Sequence, residues 1–369
     1  MPMSSPQLSF ACELDPARLA GLFADGTVID ELRALGARVL VMVSDLSDQR
    51  AVVIRDLNGA GVPLVGIPLF PEDEGYYFTV GNADRAQNRY ERWKAWSSAH
   101  GLGWDWVGLD IEPDAAFYRE IMDAPRRLPR LVLPRLRDSE TPRRARERYG
   151  ALIDRIHEDG WQVENYQFPL IADERRTGAT LLQRLLGPVD VRTDREVWML
   201  YTSFLRTLGP GLLWSYGPEA DAIAVGTTGG GPDIEGHPQM PALSWEEFAR
   251  DLRLARHFTD QIYVHSLEGC VWQGFLTRMR SFDWDGGGPP TTRWAAGALR
   301  RSLQAGLWAS AHPLVTTGAP VLAGVLAKAA RTRRREPGCE SRPLTALRAV
   351  RTCVARTSRA WAARRWNSG

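Results

Sequence analysis

Along residues 8 to 268 the chain alternates between two hydrophobic patterns. Short apolar, β-branched runs occupy LSFACEL (8–14), ARVLVMVS (37–44), VPLVGIPL (62–69), WVGLDIE (106–112), QVENYQF (162–168), EVWMLYTS (196–203), AIAVGTT (222–228) and QIYVHSLE (261–268). Between them, apolar residues recur at helical spacing, as at Leu32 and Leu35 and again at Phe248, Leu252 and Ala255. A glycine often marks where the chain turns back toward the next run. Eight strand-then-helix units predict an α/β protein of the (β/α)8 TIM-barrel class. A doubly wound sheet fits less well, because no GxGxxG turn follows the first strand.

A barrel of this class carries its chemistry at the carboxyl ends of its strands. Polar residues collect there: Glu13, Asp45, Asp110 with Glu112, Tyr166 with Gln167, Tyr201 with Ser203, Thr227 with Thr228, and His265 with Glu268. The octet VGLDIEPD (107–114) is the most informative of these ends. Side chains two apart on a strand share a face, so the carboxyl-bearing carbons of Asp110 and Glu112 are expected roughly 7 Å apart and pointing the same way. Burying two acids is costly unless they are partnered or used. One acid beside another resists ionisation, so one of the pair should hold its proton to higher pH and be able to give it to a leaving oxygen. Gly108 leaves room beside the pair, and Pro113 stops the strand. The plain alternative is that the acids cap a helix or pair with arginines.

Composition narrows the class. A chain of 369 residues, 44% of them hydrophobic, is long enough for one large barrel with an appendage. Cys12, Cys270, Cys339 and Cys353 form no CxxC pair, which argues against a zinc ribbon or a disulfide framework and for a reducing compartment. The start, MPMSSPQLSF, lacks the basic leader and apolar core of a secretory signal, so a cytoplasmic location is expected. The net charge of +2 hides an asymmetry: from Gly286 onward fifteen Arg or Lys face two acids, a balance of about +13, leaving about −11 for residues 1–285. The expected division is therefore a catalytic barrel over 1–285 and a basic, helical or partly disordered extension over 286–369. Within that extension, residues 294–314 have helical apolar spacing suited to packing under the barrel. Further on, Leu344, Leu347, Val350, Val354 and Trp361 alternate with Arg348, Arg351, Arg356 and Arg359, as in a cationic amphipathic helix at an anionic membrane surface. Nucleic acid is not an expected partner, because aromatic residues are sparse among these arginines.

The strand-4 ending resembles the chitinase-like barrels of glycoside hydrolase family 18, whose fourth strand ends in D-x-D-x-E. The resemblance implies that Glu112 is the general acid, that Asp110 orients a substrate acetamido group, and that Tyr201 is an assisting tyrosine. Gly108 stands where that family has its first Asp. A similar D-x-E ends a strand in the family-25 lysozymes, and the motif covers fewer than ten residues, so it points to the superfamily of glycosidase barrels.

Other candidates surround this pair in sequence. Glu268, in YVHSLEGC, would complete a nucleophile-and-acid couple with Glu112 if the two carboxyls meet, or pair with an arginine if they do not. Strand 7 ends in GTTGGG without a carboxylate, which disfavours the strand-4 and strand-7 glycosidase layout. That glycine run could cradle a phosphate, although no Lys or Arg accompanies it. Glu13 and Asp45 are expected to support substrate hydroxyls or an arginine, with Tyr166, Gln167, His265 and Trp272 as further substrate contacts. Of the many tryptophans, including Trp104, Trp106, Trp161, Trp198, Trp214 and Trp284, most are expected in the core and one or two on a sugar. No HxH, HExxH or GxSxG occurs, so neither a hydrolytic metal centre nor a serine elbow is expected, and no cofactor is called for. The expected function is cleavage or binding of an oligosaccharide or glycoconjugate by carboxylate chemistry. The competing class is a non-catalytic carbohydrate-binding or scaffold barrel.

Overall fold

The computed structural model describes residues 5–112, 128–231 and 241–312. Pro113 and the residues to 127, residues 232–240 and the arginine-rich segment beyond His312 lie outside the described residues.

Eight parallel strands close into a barrel in chain order, each beside its sequence neighbour and the eighth beside the first. They are β1 (Gln7–Cys12), β2 (Arg38–Val43), β3 (Leu64–Pro68), β4 (Trp106–Leu109), β5 (Gln162–Gln167), β6 (Arg195–Met199), β7 (Ala222–Gly226) and β8 (Gln261–His265). All eight expected strands are present, each shorter than its apolar run. The polar residues at the run ends fall at or just past the last ladder position, which is where the mouth of the barrel opens.

Strands buried on both faces read as nearly continuous apolar runs. β2, RVLVMV, is buried at every position. Alternate residues then serve two cores. Leu40, Met42, Val65, Ile67, Tyr166, Val197, Ala222, Ala224 and Tyr263 fill the barrel interior. Val39, Val41, Val107, Leu109, Val163, Ile223 and Val264 face outward against the helical layer. That layer holds most of the tryptophans: Trp93 packs on Trp104 and Trp161 with ring centroids 5.4 and 5.8 Å apart, which places these rings in the core.

The amino-terminal half of the barrel is closed by a polar plug. Glu164, fully buried, accepts from Arg38 Nη2 at 3.1 Å, Tyr263 Oη at 2.7 Å and Tyr166 Oη at 2.9 Å. The guanidiniums of Arg38 and Arg195 lie over the Trp106 ring, 5.6 and 4.5 Å from its centroid. A buried carboxylate is tolerable only with such partners.

The helix Arg293–Ala311, which the charge division assigns to the extension, is joined to the barrel's helical layer by a buried ion pair. Arg300 Nε and Gln304 Nε2 donate to Asp173 Oδ1 at 2.8 and 2.7 Å, Tyr216 donates to the other oxygen, and Arg300 also covers the Tyr216 ring at 3.8 Å. Among the described residues no helix is long and apolar enough to cross a membrane.

Candidate functional site

Side-chain alternation decides which acids meet. Ala11 faces the interior, so Glu13, one residue past β1, faces inward as well. On β4 the inward positions are Trp106 and Gly108, and the same parity brings Asp110 and Glu112 to the mouth. Glu13 and Asp110 are buried, at 5% and 6% exposure, and Glu112 is half-buried.

The long loop after β3 is pinned over these acids. Phe78 bridges to Ile111 in parallel register, and the Glu112 amide donates to Phe78 O at 2.8 Å. Fully buried Phe78 anchors the loop against Phe70 and Tyr149, with centroids 5.1 and 6.1 Å apart. Asn82 closes the loop on itself, accepting from the Thr79 amide at 2.7 Å and donating to Tyr77 O at 2.9 Å. The result is that Tyr77 Oη donates to Glu13 Oε1 at 3.1 Å, while the Tyr76 hydroxyl acts on Glu13 electrostatically. Tyr76 holds φ at 58°, a left-handed conformation that a bulky side chain rarely adopts.

Electrostatics follow from this burial. Desolvation, then the neighbouring Asp110 and Glu13 carboxyls, hold Glu112 well above the usual carboxylate range. Burial pushes Asp110 up to about 7. Glu13 is raised by burial and by Asp110, against the opposing pull of the two tyrosine hydroxyls. Tyr201, half-buried past β6, is raised by burial and by the charges of Asp110, Glu112 and Glu13. Asp110 Oδ1 is buried with no hydrogen-bond partner. No ion pair from a described arginine or lysine closes over Glu13, Asp110 or Glu112.

The remaining candidates fall in different places. Tyr201 stacks on His265 with centroids 5.7 Å apart and on exposed Phe204 at 6.0 Å, forming an aromatic column beside the acids. Asp45 is committed to an ion pair: Arg50 Nε donates to Asp45 Oδ2 at 2.7 Å while its other nitrogens hold Met42 O and Leu14 O at 3.0 and 2.9 Å. Burial alone would raise Asp45, but Arg50 and Ser47 hold it below its usual range. Tyr166 points into the barrel one layer below the acids and belongs to the Glu164 plug. Gln167 faces outward and donates to Val189 O at 3.4 Å. Trp272 is on the helix Leu267–Trp272 with 61% exposure.

Glu268 makes its hydrogen bond to the glycine run after β7. It sits on the first turn of that same helix, fully buried, accepting from the Gly231 amide at 2.9 Å, and it acts electrically on Glu13 and Cys12. The glycine run closes on it: a side chain at Gly230 would strike Glu268 Cγ at 2.4 Å. Other amides of that run are already used, Thr227 N by Ser203 Oγ at 3.1 Å and Thr228 N by His265 O at 2.8 Å. Spent amides beside a carboxylate are a poor cradle for phosphate. The partner that meets the strand-4 acids is instead Glu13, with Tyr76 and Tyr77. The signal in the sequence for the two tyrosines is the aromatic triplet in the long β3 loop. Among the described residues no group of three or more His, Cys, Asp or Glu is placed to hold a metal ion.

Gly108 explains the departure from D-x-D-x-E. A Cβ there would lie 2.7 Å from Ile67 Cγ1 and 2.8 Å from Tyr166 Oη, so neighbouring side chains already fill the space of the first Asp.

No family model matches the chain, and no curated protein matches it in sequence. Solved structures similar to it include ScGas2 in complex with a compound, at 13% identity and a TM-score of 0.37, covering 80% of this chain and 63% of that one. A D-allulose 3-epimerase from Methylomonas sp. matches at 11% identity and a TM-score of 0.37, over 82% of this chain and 99% of that one. A chain of a tryptophan synthase complex from Pyrococcus furiosus matches at 12% identity and a TM-score of 0.34, over 76% and 98%. The chain thus spans 63% of the length of the ScGas2 chain. The closed eight-stranded topology makes this protein a TIM barrel; its chemistry rests on its own residues.

Proposed function

We propose that this barrel cleaves a glycan by carboxylate acid/base chemistry, with Glu112 as the proton donor. The observation that carries the reading is the gathering of Glu13, Asp110 and Glu112 at the barrel mouth with no ion pair to any of them from a described arginine or lysine. An acid that holds its proton more tightly than an ordinary carboxyl can deliver it to a glycosidic oxygen as the bond to the anomeric carbon breaks, and a water molecule then bonds that carbon and gives a proton back to the Glu112 carboxylate. Asp110, beside it on the same strand face, is the group to stabilise the positive charge developing on the ring. Glu13 supports the site from β1, where two tyrosine hydroxyls oppose the rise that burial and Asp110 impose on it. Tyr201 and His265 offer an aromatic wall for the apolar face of a sugar.

The blocked position at Gly108 removes the first acid of the family-18 pattern, which disfavours its substrate-assisted route. The same fact favours, as a second reading, a barrel that binds glycans without cleaving them. Attachment of the basic extension to an anionic membrane from the cytoplasmic side belongs to the same proposal, with the charge asymmetry as its support.

A panel of oligosaccharides assayed for new reducing ends tests the chemistry. The wild type is expected to cleave at least one member, and Glu112→Gln to lower its kcat by a factor of about 10² to 10⁴. An active mutant would remove Glu112 from the role. A wild type that binds a member and cleaves none would establish the second reading.

A further inference from the structure

Resting on the glycan reading above, we propose that the sugar seated at the barrel mouth carries a protonated amine, as an unacetylated amino sugar does. Apart from the His265 imidazole, which stacks on Tyr201 at the end of β8, the groups named at the mouth are acidic or neutral. β1 supplies Glu13, the β3 loop Tyr76 and Tyr77, β4 Asp110 and Glu112, and the segment after β6 Tyr201. Glu268 stands behind Glu13, beside Cys12. Arg50, a cation near enough to act on Tyr76 and Cys12, is tied to Asp45 and two carbonyls and is 1% exposed.

Two buried oxygens show what this arrangement lacks. Asp110 Oδ1 and Glu268 Oε2 have no hydrogen-bond partner, in residues 6% and 0% exposed. Buried acceptors without donors are costly, and a ligand that brings donors and positive charge relieves that cost for Asp110 at the mouth. An ammonium group carries three donors and a full charge. A divalent metal ion fits less well: calcium wants six to eight oxygen ligands, and no described cluster has metal-holding geometry. A phosphorylated or carboxylated sugar would meet carboxylates, and no described arginine or lysine pairs with Glu13, Asp110 or Glu112 to offer it a counter-charge.

Calorimetric titration of the full chain distinguishes these cases. The probes are gluco- and galacto-configured tetrasaccharides in three forms, with free amines, with N-acetylated amines, and with hydroxyls in place of nitrogen. Glu112→Gln is used beside the wild type to suppress turnover. The amine form is expected to bind about tenfold tighter or more than its acetylated and neutral counterparts at about pH 6. It should release protons, seen as a dependence of the heat on the buffer's ionisation enthalpy. Asp110→Asn should erase the preference. Equal or tighter binding of acetylated or neutral forms overturns the amine while leaving the glycan reading in place. No binding and no cleavage of any form removes the glycan reading itself, and the amine with it. Heats from calcium or magnesium chloride alone that vanish in Asp110→Asn would make the site one for a metal ion and overturn the proposal.

Discussion

Asp110 is the residue whose chemistry is most exposed to test. Its carboxyl is pushed up to about 7 by burial, whereas an unfolded chain returns it to about 3.9. Between those values the folded state keeps a proton that the unfolded state gives up, so this group's contribution to stability is full at low pH. It is lost as pH rises through the folded value. Asp110→Asn should therefore be more stable than the wild type at about pH 8 and close to it at about pH 4, as read by urea unfolding at both. An equal difference at the two pH values would show that Asp110 does not titrate in this range. The placement of two acids on one face was legible from their spacing in VGLDIEPD. Their partner was not: Glu13 lies about a hundred residues earlier, and Glu268, which reads equally well in sequence, is turned toward Gly231.

Among the elements, the β3 loop and the helix Arg293–Ala311 show how local pattern and long-range contact divide the work. The loop's aromatic content was visible, but its course depends on one backbone bond from Glu112 to Phe78 and one bridge at Ile111. The helix was legible from its apolar spacing; its attachment is a buried pair between residues far apart in sequence. Arg300 is 6% exposed and Asp173 fully buried, so Arg300→Ala leaves an uncompensated charge. A loss of about 3 to 5 kcal/mol in unfolding free energy is expected, measured by denaturant titration. A loss below about 1 kcal/mol, typical of exposed pairs, would show that the helix is not clamped there.

Across the whole molecule the barrel separates its charges by end. The amino-terminal half is locked by Glu164 between Arg38, Arg195 and two tyrosines, while at the carboxyl-terminal mouth Glu13, Asp110 and Glu112 have no ion pair with a described arginine or lysine. Removing Glu164 strands two guanidiniums in a low-dielectric interior. Glu164→Ala should cost about 3 to 5 kcal/mol, with a lowered Tm in calorimetry as the check. An unchanged Tm would mean that solvent reaches Arg195, which retains some exposure, and relieves the charge.

The eight apolar runs and the helical spacing between them determined the barrel by themselves, because strands buried on both faces and amphipathic helices leave their periodicity in the chain. The same period-two rule placed Asp110 and Glu112 side by side. Only the closed tertiary structure decided that β1 lies across the mouth from β4, that Tyr166 occupies the room beside Gly108, and that Asp45 is bound to Arg50. Those are contacts between residues distant in sequence, fixed by how the barrel closes and which side chains fill its interior. Local spacing carries no record of them.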